Sequence, residues 1–330
     1  MAESSYMRRS RAYGGSPIVK NWLVLLTLVM FPWLTRAQLP QSGTNPVKIN
    51  AIKRDPACDN SSCQRHAIVF VHGLWGSKDT WRWSESHPSW PELVVQDSNF
   101  ANFDVYVVEY PTSPGFWGPG NKVRFTEVAK GLNKVLSQDI WWKYKAVHLI
   151  GHSMGGNAIL TSLIFLKLTD PNAHQLLTKC ENIVLLGTPV EGSDLVHLGT
   201  LVSNDQKLMA LEPVVKNELP VLIELSLDSI DEKRQMLGLS SLRISAGYET
   251  VPYLGKIIVT KESATKVASQ DRPGHGDSDL IRGFQRNHLN LVKPRSTNDC
   301  VYKWVSEQIR QAEGEPAHLD CTPAEERGEE

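Results

Sequence analysis

Charge of one sign is what this chain lacks most plainly: 35 Lys and Arg stand against 36 Asp and Glu in 330 residues, a formal net charge of -1. That balance argues against nucleic acid as a partner, because binding a polyanion calls for a basic surface. Cysteine is scarce at 5 residues, no C-x₂-C pair occurs, and no cysteine has histidine neighbours at ligand spacing. A thiolate zinc site is therefore not expected, and no metal or other cofactor is implied. No internal repeat and no long Gly/Ser linker after residue 64 is visible, which excludes a repeat array or a string of tethered modules. The apolar stretch from Trp22 to Leu34 is too short for a comfortable membrane span, which needs about 20 residues. Against these absences stands a hydrophobic content of 41%, ample for one large core.

The N-terminus has the composition of an export signal. Arg8, Arg9, Arg11 and Lys20 precede the apolar stretch, and Thr35-Arg36-Ala37 offers small residues at the cleavage positions. A signal peptide over 1–37 and a secreted or periplasmic product are expected. The alternative is an uncleaved membrane anchor, and the surroundings of Arg8-Arg9 match a twin-arginine signal poorly. Five cysteines suit an exported protein with one left over: Cys58 with Cys63, Cys300 with Cys321, and Cys180 free and buried.

From Ala67 onward, short apolar runs alternate with helical patterns. Strands are expected near 67–71, 103–110, 146–150, 182–188, 242–248 and 256–259, and helices over 126–137, 155–168 and 297–312, with Val47–Ile52 as an edge strand. Such alternation predicts the α/β class, a mostly parallel central sheet with helices on both faces. A single catalytic domain over 38–312 carries a Leu-rich helical insert at 190–240. The acidic, Pro-containing end, 313–330, reads as a disordered polar tail.

Gly151-His152-Ser153-Met154-Gly155 is a G-x-S-x-G pentapeptide, and it lies between the strand Ala146–Ile150 and an apolar helix opening at Gly155. A sharp strand-to-helix turn strains the serine backbone and points its Oγ out of the sheet, as a nucleophile requires. Earlier in the chain, the strand Ala67–Val71 runs into His72-Gly73-Leu74-Trp75-Gly76. That layout supplies backbone N–H groups for an oxyanion hole, here from Leu74 and Met154, with His72 bracing the loop.

With Ile183–Leu186 followed by Gly187-Thr188-Pro189 in the same order, the chain resembles the α/β-hydrolase superfamily. Within it the likeness is to the lipase-like branch of GPI inositol-deacylase-like and serine-active-site-containing proteins, over roughly residues 64–310. Val190-Glu191 departs from the aromatic or histidine that many relatives carry after Thr-Pro. The resemblance implies the α/β-hydrolase fold and a triad in the chain order Ser, acid, His. His288, before the final helix, is favoured as the base, with His275 in Pro273-Gly274-His275 as the rival. Glu249 ends the strand at 242–248 and is favoured as the acid, with Asp277, Asp279 and Asp228 as rivals. Trp75, Phe116 and Trp117, together with Trp81 and Trp83, are expected to line an apolar approach to Ser153, and residues 190–240 to cover it or to pack as ordinary helices.

The resulting expectation is a serine esterase or lipase that cleaves acyl esters through an acyl-enzyme. A lipid or acyl-ester substrate is its partner, with peripheral contact to a lipid surface in view. The alternatives are acyl transfer or thioester and amide hydrolysis with the same triad, or a catalytically silent binding module on this fold.

Overall fold

The structure is a computed structural model that describes residues 45–58, 62–112, 125–170, 172–173, 177–190, 219–268, 278–316 and 321. Seven strands form one sheet: β1 (Lys48–Lys53), β2 (His66–Val71), β3 (Phe103–Glu109), β4 (Ala146–His152), β5 (Cys180–Leu186), β6 (Arg243–Glu249) and β7 (Ile281–Phe284). Their order is β1-β3-β2-β4-β5-β6-β7. β1 is antiparallel to β3, and every other neighbouring pair is parallel. Parallel neighbours require a crossover, and among the described residues α1 (Trp90–Gln96), α2 (Phe125–Asp139), α3 (Met154–Thr169), α4 (Leu219–Met236) and α6 (Cys300–Ala312) accompany the sheet, with a short α5 (Lys261–Thr265) after β6.

The sheet forms because its central strands are apolar on both sides. All six residues of β2 and all seven of β4 are buried, the pattern of a parallel strand covered on both faces. Period-two alternation then divides the core. Ala67, Val69 and Val71 pack with Val128, Leu132 and Leu136 of α2 and with Ala158 and Ile159 of α3. Ile68 and Phe70 join Leu93 and Val94 of α1 and Val301, Trp304 and Val305 of α6. Each such Val, Leu, Ile or Phe side chain contributes about 1.5–3 kcal/mol of burial, which is what commits the chain to this layering.

Two differences from the sequence expectation have local causes. Residues 256–259 are not a strand: Tyr253 and Lys256 make an isolated bridge, and Ile258 and Val259 tuck beside Ala264 of α5. The last strand is instead Ile281–Phe284, a segment of mixed polarity whose place is set by pairing with Ala246–Glu249 rather than by its own periodicity. The polar tail also begins later than its composition indicates. Glu313 lies against the sheet, and Cys321 is bonded to Cys300. The Cα atoms are 5.6 Å apart in that pair and 5.2 Å apart in Cys58–Cys63. Cys180 is the free cysteine among the described residues, and burial pushes its thiol up to about 12, which leaves it inert.

Candidate active site

At the C-terminal end of β4 the backbone reverses into α3 through Ser153, whose φ is +51°. A non-glycine residue there carries strain of about 1–3 kcal/mol, and the packing around it has to hold it in place. The Ser153 N–H donates to Leu186 O at 2.9 Å and its own carbonyl accepts from Gly156 N–H at 3.0 Å. Although Ser153 occupies the N-cap of α3, its side chain makes no capping hydrogen bond. Its Oγ is buried without a hydrogen-bonded partner.

The close approach of the β2 loop depends on Gly155. A Cβ there would stand 2.2 Å from Val71 O and 2.4 Å from His72 O, both backbone atoms. Gly155→Ala should therefore displace either the start of α3 or the loop after β2 and lower stability by at least the roughly 1–3 kcal/mol of an overpacked core, read as a lower urea midpoint. A variant as stable as the parent would mean that this contact is looser than described.

Behind the serine, His288 and Glu249 form a buried pair. The His288 Nδ1–H donates to Glu249 Oε1 at 3.2 Å, with side-chain exposures of 4% and 0%. The same oxygen accepts from Val259 N–H at 2.8 Å, so the loop after β6 turns back to hold the carboxylate. Here the sequence reading missed a contributor: Val259 spends its N–H on Glu249 instead of on a sheet ladder. Gly187, with φ +53°, makes room for the pair, since a Cβ would come within 3.1 Å of Glu249 Oε2, His288 Cε1 and His288 Nδ1. That contact accounts for the glycine of Gly187-Thr188-Pro189. His288 Nε2 is buried and free of hydrogen bonds, like Ser153 Oγ. In unliganded sites the bond between such atoms is often long and tightens only with substrate.

His152, the second residue of the pentapeptide, braces the histidine loop. Its Nε2–H donates to His288 O at 3.1 Å, and the two rings lie 4.9 Å apart. Burial, and then the neighbouring His288, hold the His152 imidazole well below the ordinary histidine range, so it remains a neutral strut. A polar residue inside an otherwise apolar strand end was the available sequence signal. Farther out, Arg286 pairs with Asp299 at 2.6 Å and donates to Lys293 O at 3.2 Å, tying the loop that bears His288 to the N-terminus of α6.

On the oxyanion side, His72 Nδ1–H donates to Gly73 O at 2.9 Å and its ring stacks on Tyr110 at 4.3 Å, while the Tyr110 hydroxyl donates to His72 O. His72 is thus built into the loop, and burial lowers its pKa. Leu74 is half-buried beside this loop and Met154 is buried at the first position of α3. Trp75, at φ +53°, packs against the cluster of Ile258, Val259 and Ala264.

The rival residues fall elsewhere or outside the description. Asp228 is an exposed residue of α4 whose charge acts on Lys167. Asp279 precedes β7, whose Ile281 is level with Ala246, toward the opposite end of the sheet from Glu249; its carbonyl accepts from Trp304 and Gln308. His275, Asp277, Phe116, Trp117 and residues 191–218 of the insert lie outside the described residues. One of the supporting tryptophans differs from the expectation. Trp81 is fully buried among Phe70, Trp90 and His152, a core position with no face toward substrate. Trp83 stacks under the Arg295 guanidinium at 4.0 Å.

A mostly parallel sheet covered on both faces, with a strained serine at the end of a central strand and a buried His–Glu pair at the ends of later ones, defines an α/β hydrolase. Residues 68–229 match the model of the alpha/beta hydrolase family, and the chain belongs to the α/β-hydrolase superfamily. It is similar to Protein SERAC1 of Homo sapiens (25% identity over 271 residues, 74% of this chain) and of Bos taurus (24% over 272 residues, 74% of this chain). The match covers 38% of the length of either relative. Among solved structures, the mature form of lipase BlEst2 from Bacillus licheniformis aligns at 16% identity and a TM-score of 0.41, over 76% of this chain and 94% of that one.

Proposed function

We propose that this chain is a serine hydrolase of esterase or lipase type that cleaves acyl esters through an acyl-enzyme intermediate. The observation that carries the reading is the buried His288–Glu249 pair beside a serine held at positive φ with its Oγ unspent. Ser153 Oγ attacks the ester carbonyl carbon while its proton passes to His288 Nε2, and Glu249 stabilises the imidazolium. The oxyanion is held by the N–H groups of Leu74 and Met154. The alkoxide leaves with the proton from His288. Water then attacks the acyl-enzyme, gives its proton to His288, and the carboxylic acid departs as Ser153 recovers its own.

An apolar rim supports an acyl chain as substrate and contact with a lipid surface. Val251 and Leu254 follow Glu249 in the chain and Leu289 follows His288, and they are 40%, 77% and 42% exposed. Export is part of the same proposal, and two disulfides support it. A fluorophosphonate that labels the protein stoichiometrically at Ser153, together with a chain-length series of p-nitrophenyl esters, tests the reading. No labelling of correctly folded protein would point to a silent binding module.

Glu249→Gln should lower kcat by on the order of 10⁴-fold, with little change in melting temperature. The amide oxygen can still accept from both Val259 N–H and His288 Nδ1–H, which share one oxygen of Glu249, but the negative charge that stabilises the imidazolium is gone. Near-normal turnover, together with a crippled Asp277→Asn or Asp279→Asn variant, would move the acid to the loop before β7.

A further inference from the structure

Three side chains that the reaction does not use converge near the other end of the sheet. His66 opens β2 and His148 is the third residue of β4. The parallel register pairs His66 with Ala146 and Ile68 with His148, so both imidazoles project from the same face as Ile68, the face that α6 covers. The rings are stacked with 6.2 Å between centroids and 7° between planes. Glu313, immediately after α6, brings its Oε1 to 2.9 Å from His66 Nδ1 and 2.8 Å from His148 Nε2. One ligand atom from each residue lies within 4.8 Å of the other two.

His148 is fully buried, His66 is 8% exposed and the Glu313 side chain 18%. The two contacts are ion pairs when the imidazoles are protonated, but neither meets hydrogen-bond geometry, and with neutral imidazoles His66 Nδ1, His148 Nε2 and Glu313 Oε1 are each buried without a hydrogen-bonded partner. Buried polar atoms left in that condition are costly, and here three of them share one focus.

We propose that His66, His148 and Glu313 bind a divalent transition-metal ion of the zinc type. Two imidazole nitrogens and one carboxylate suit zinc, cobalt or nickel rather than calcium or magnesium, which take oxygen ligands. Water completes the tetrahedron on the side where Glu313 is open to solvent. Bonds of about 2.0–2.2 Å at tetrahedral angles set ligand atoms about 3.3 Å apart. The two contacts at Glu313 therefore widen by about half an ångström, a movement available to a side chain just beyond a helix end. His148 and Ser153 are five positions apart on the extended run of β4, roughly 16 Å at about 3.3 Å per residue. The ion is a clamp that ties the end of α6 to the starts of β2 and β4, and it takes no part in hydrolysis.

The test uses untagged full-length protein stripped with EDTA, dialysed and titrated with zinc by calorimetry, with cobalt as a spectroscopic substitute. The expected result is one ion per chain, the visible absorption of tetrahedral cobalt, a melting temperature several degrees higher with zinc, and ester turnover unchanged by the metal. Glu313→Gln should weaken zinc binding more than 100-fold and abolish the thermal shift, with hydrolysis retained. His148→Gln should do the same, and because that position is fully buried, the partly exposed Glu313 decides if it fails to fold. Absence of stoichiometric binding, or binding undiminished in Glu313→Gln, overturns the proposal and leaves the three residues as a carboxylate clamp between two imidazoles.

Discussion

Ser153→Ala is expected to reduce ester hydrolysis by about a million-fold and to leave the folded state intact. The scale follows from the role proposed for Oγ: without it no acyl-enzyme forms, and what remains comes from the oxyanion donors and binding alone. Stability is spared because Oγ makes no capping bond to α3 and no other hydrogen bond. The backbone bonds that hold the turn, to Leu186 O and from Gly156 N–H, do not involve the side chain. Turnover and denaturant midpoint measured on one preparation separate the two effects. A folded variant that still turns over would remove the nucleophile from Ser153 and the proposed reaction with it.

His288→Ala should be comparably damaging to kcat, since residues that act as one unit lose nearly the whole effect when any essential one is removed. The alanine leaves Glu249 buried with Val259 N–H as its remaining hydrogen-bonded partner. An uncompensated buried carboxylate is destabilising, so this variant, unlike Ser153→Ala, should also melt at lower temperature. His275→Ala serves as the control and should be mild on both measures. The opposite ranking of the two histidines in kcat would transfer the base to the loop before β7.

The α/β class and the main strands were legible in the sequence because each depends on local pattern. β2, β4 and β5 are built on mostly apolar, buried runs of the kind a doubly covered parallel strand shows, and α2, α3 and α6 begin and end within three residues of their expected limits. The turn at Ser153 was legible for a related reason: Gly151-x-Ser153-x-Gly155 between strand and helix encodes its own geometry, and the +51° φ and the 2.2 Å limit at Gly155 show what the glycines are for. Motif and chain order also named Ser153, Glu249 and His288; the fold hydrogen-bonds the last two to each other and ties His152, the neighbour of Ser153, to the His288 carbonyl, while the chemical roles rest with the variants above.

What tertiary structure alone decided were contacts between residues distant in the chain. Lys256–Val259 has the composition of a strand, yet Val259 gains more by giving its N–H to the buried Glu249 carboxylate than by joining a sheet whose last place Ile281–Phe284 takes. Trp81 looked like part of an aromatic mouth, but its distance from Phe70 and Trp90 in space, not in sequence, made it core. Glu313 read as the start of an acidic tail because composition reports only average solvation. Its carboxylate lies at the sheet beside two histidines whose shared face was set by the register between β2 and β4, and no pattern along a single chain records that register.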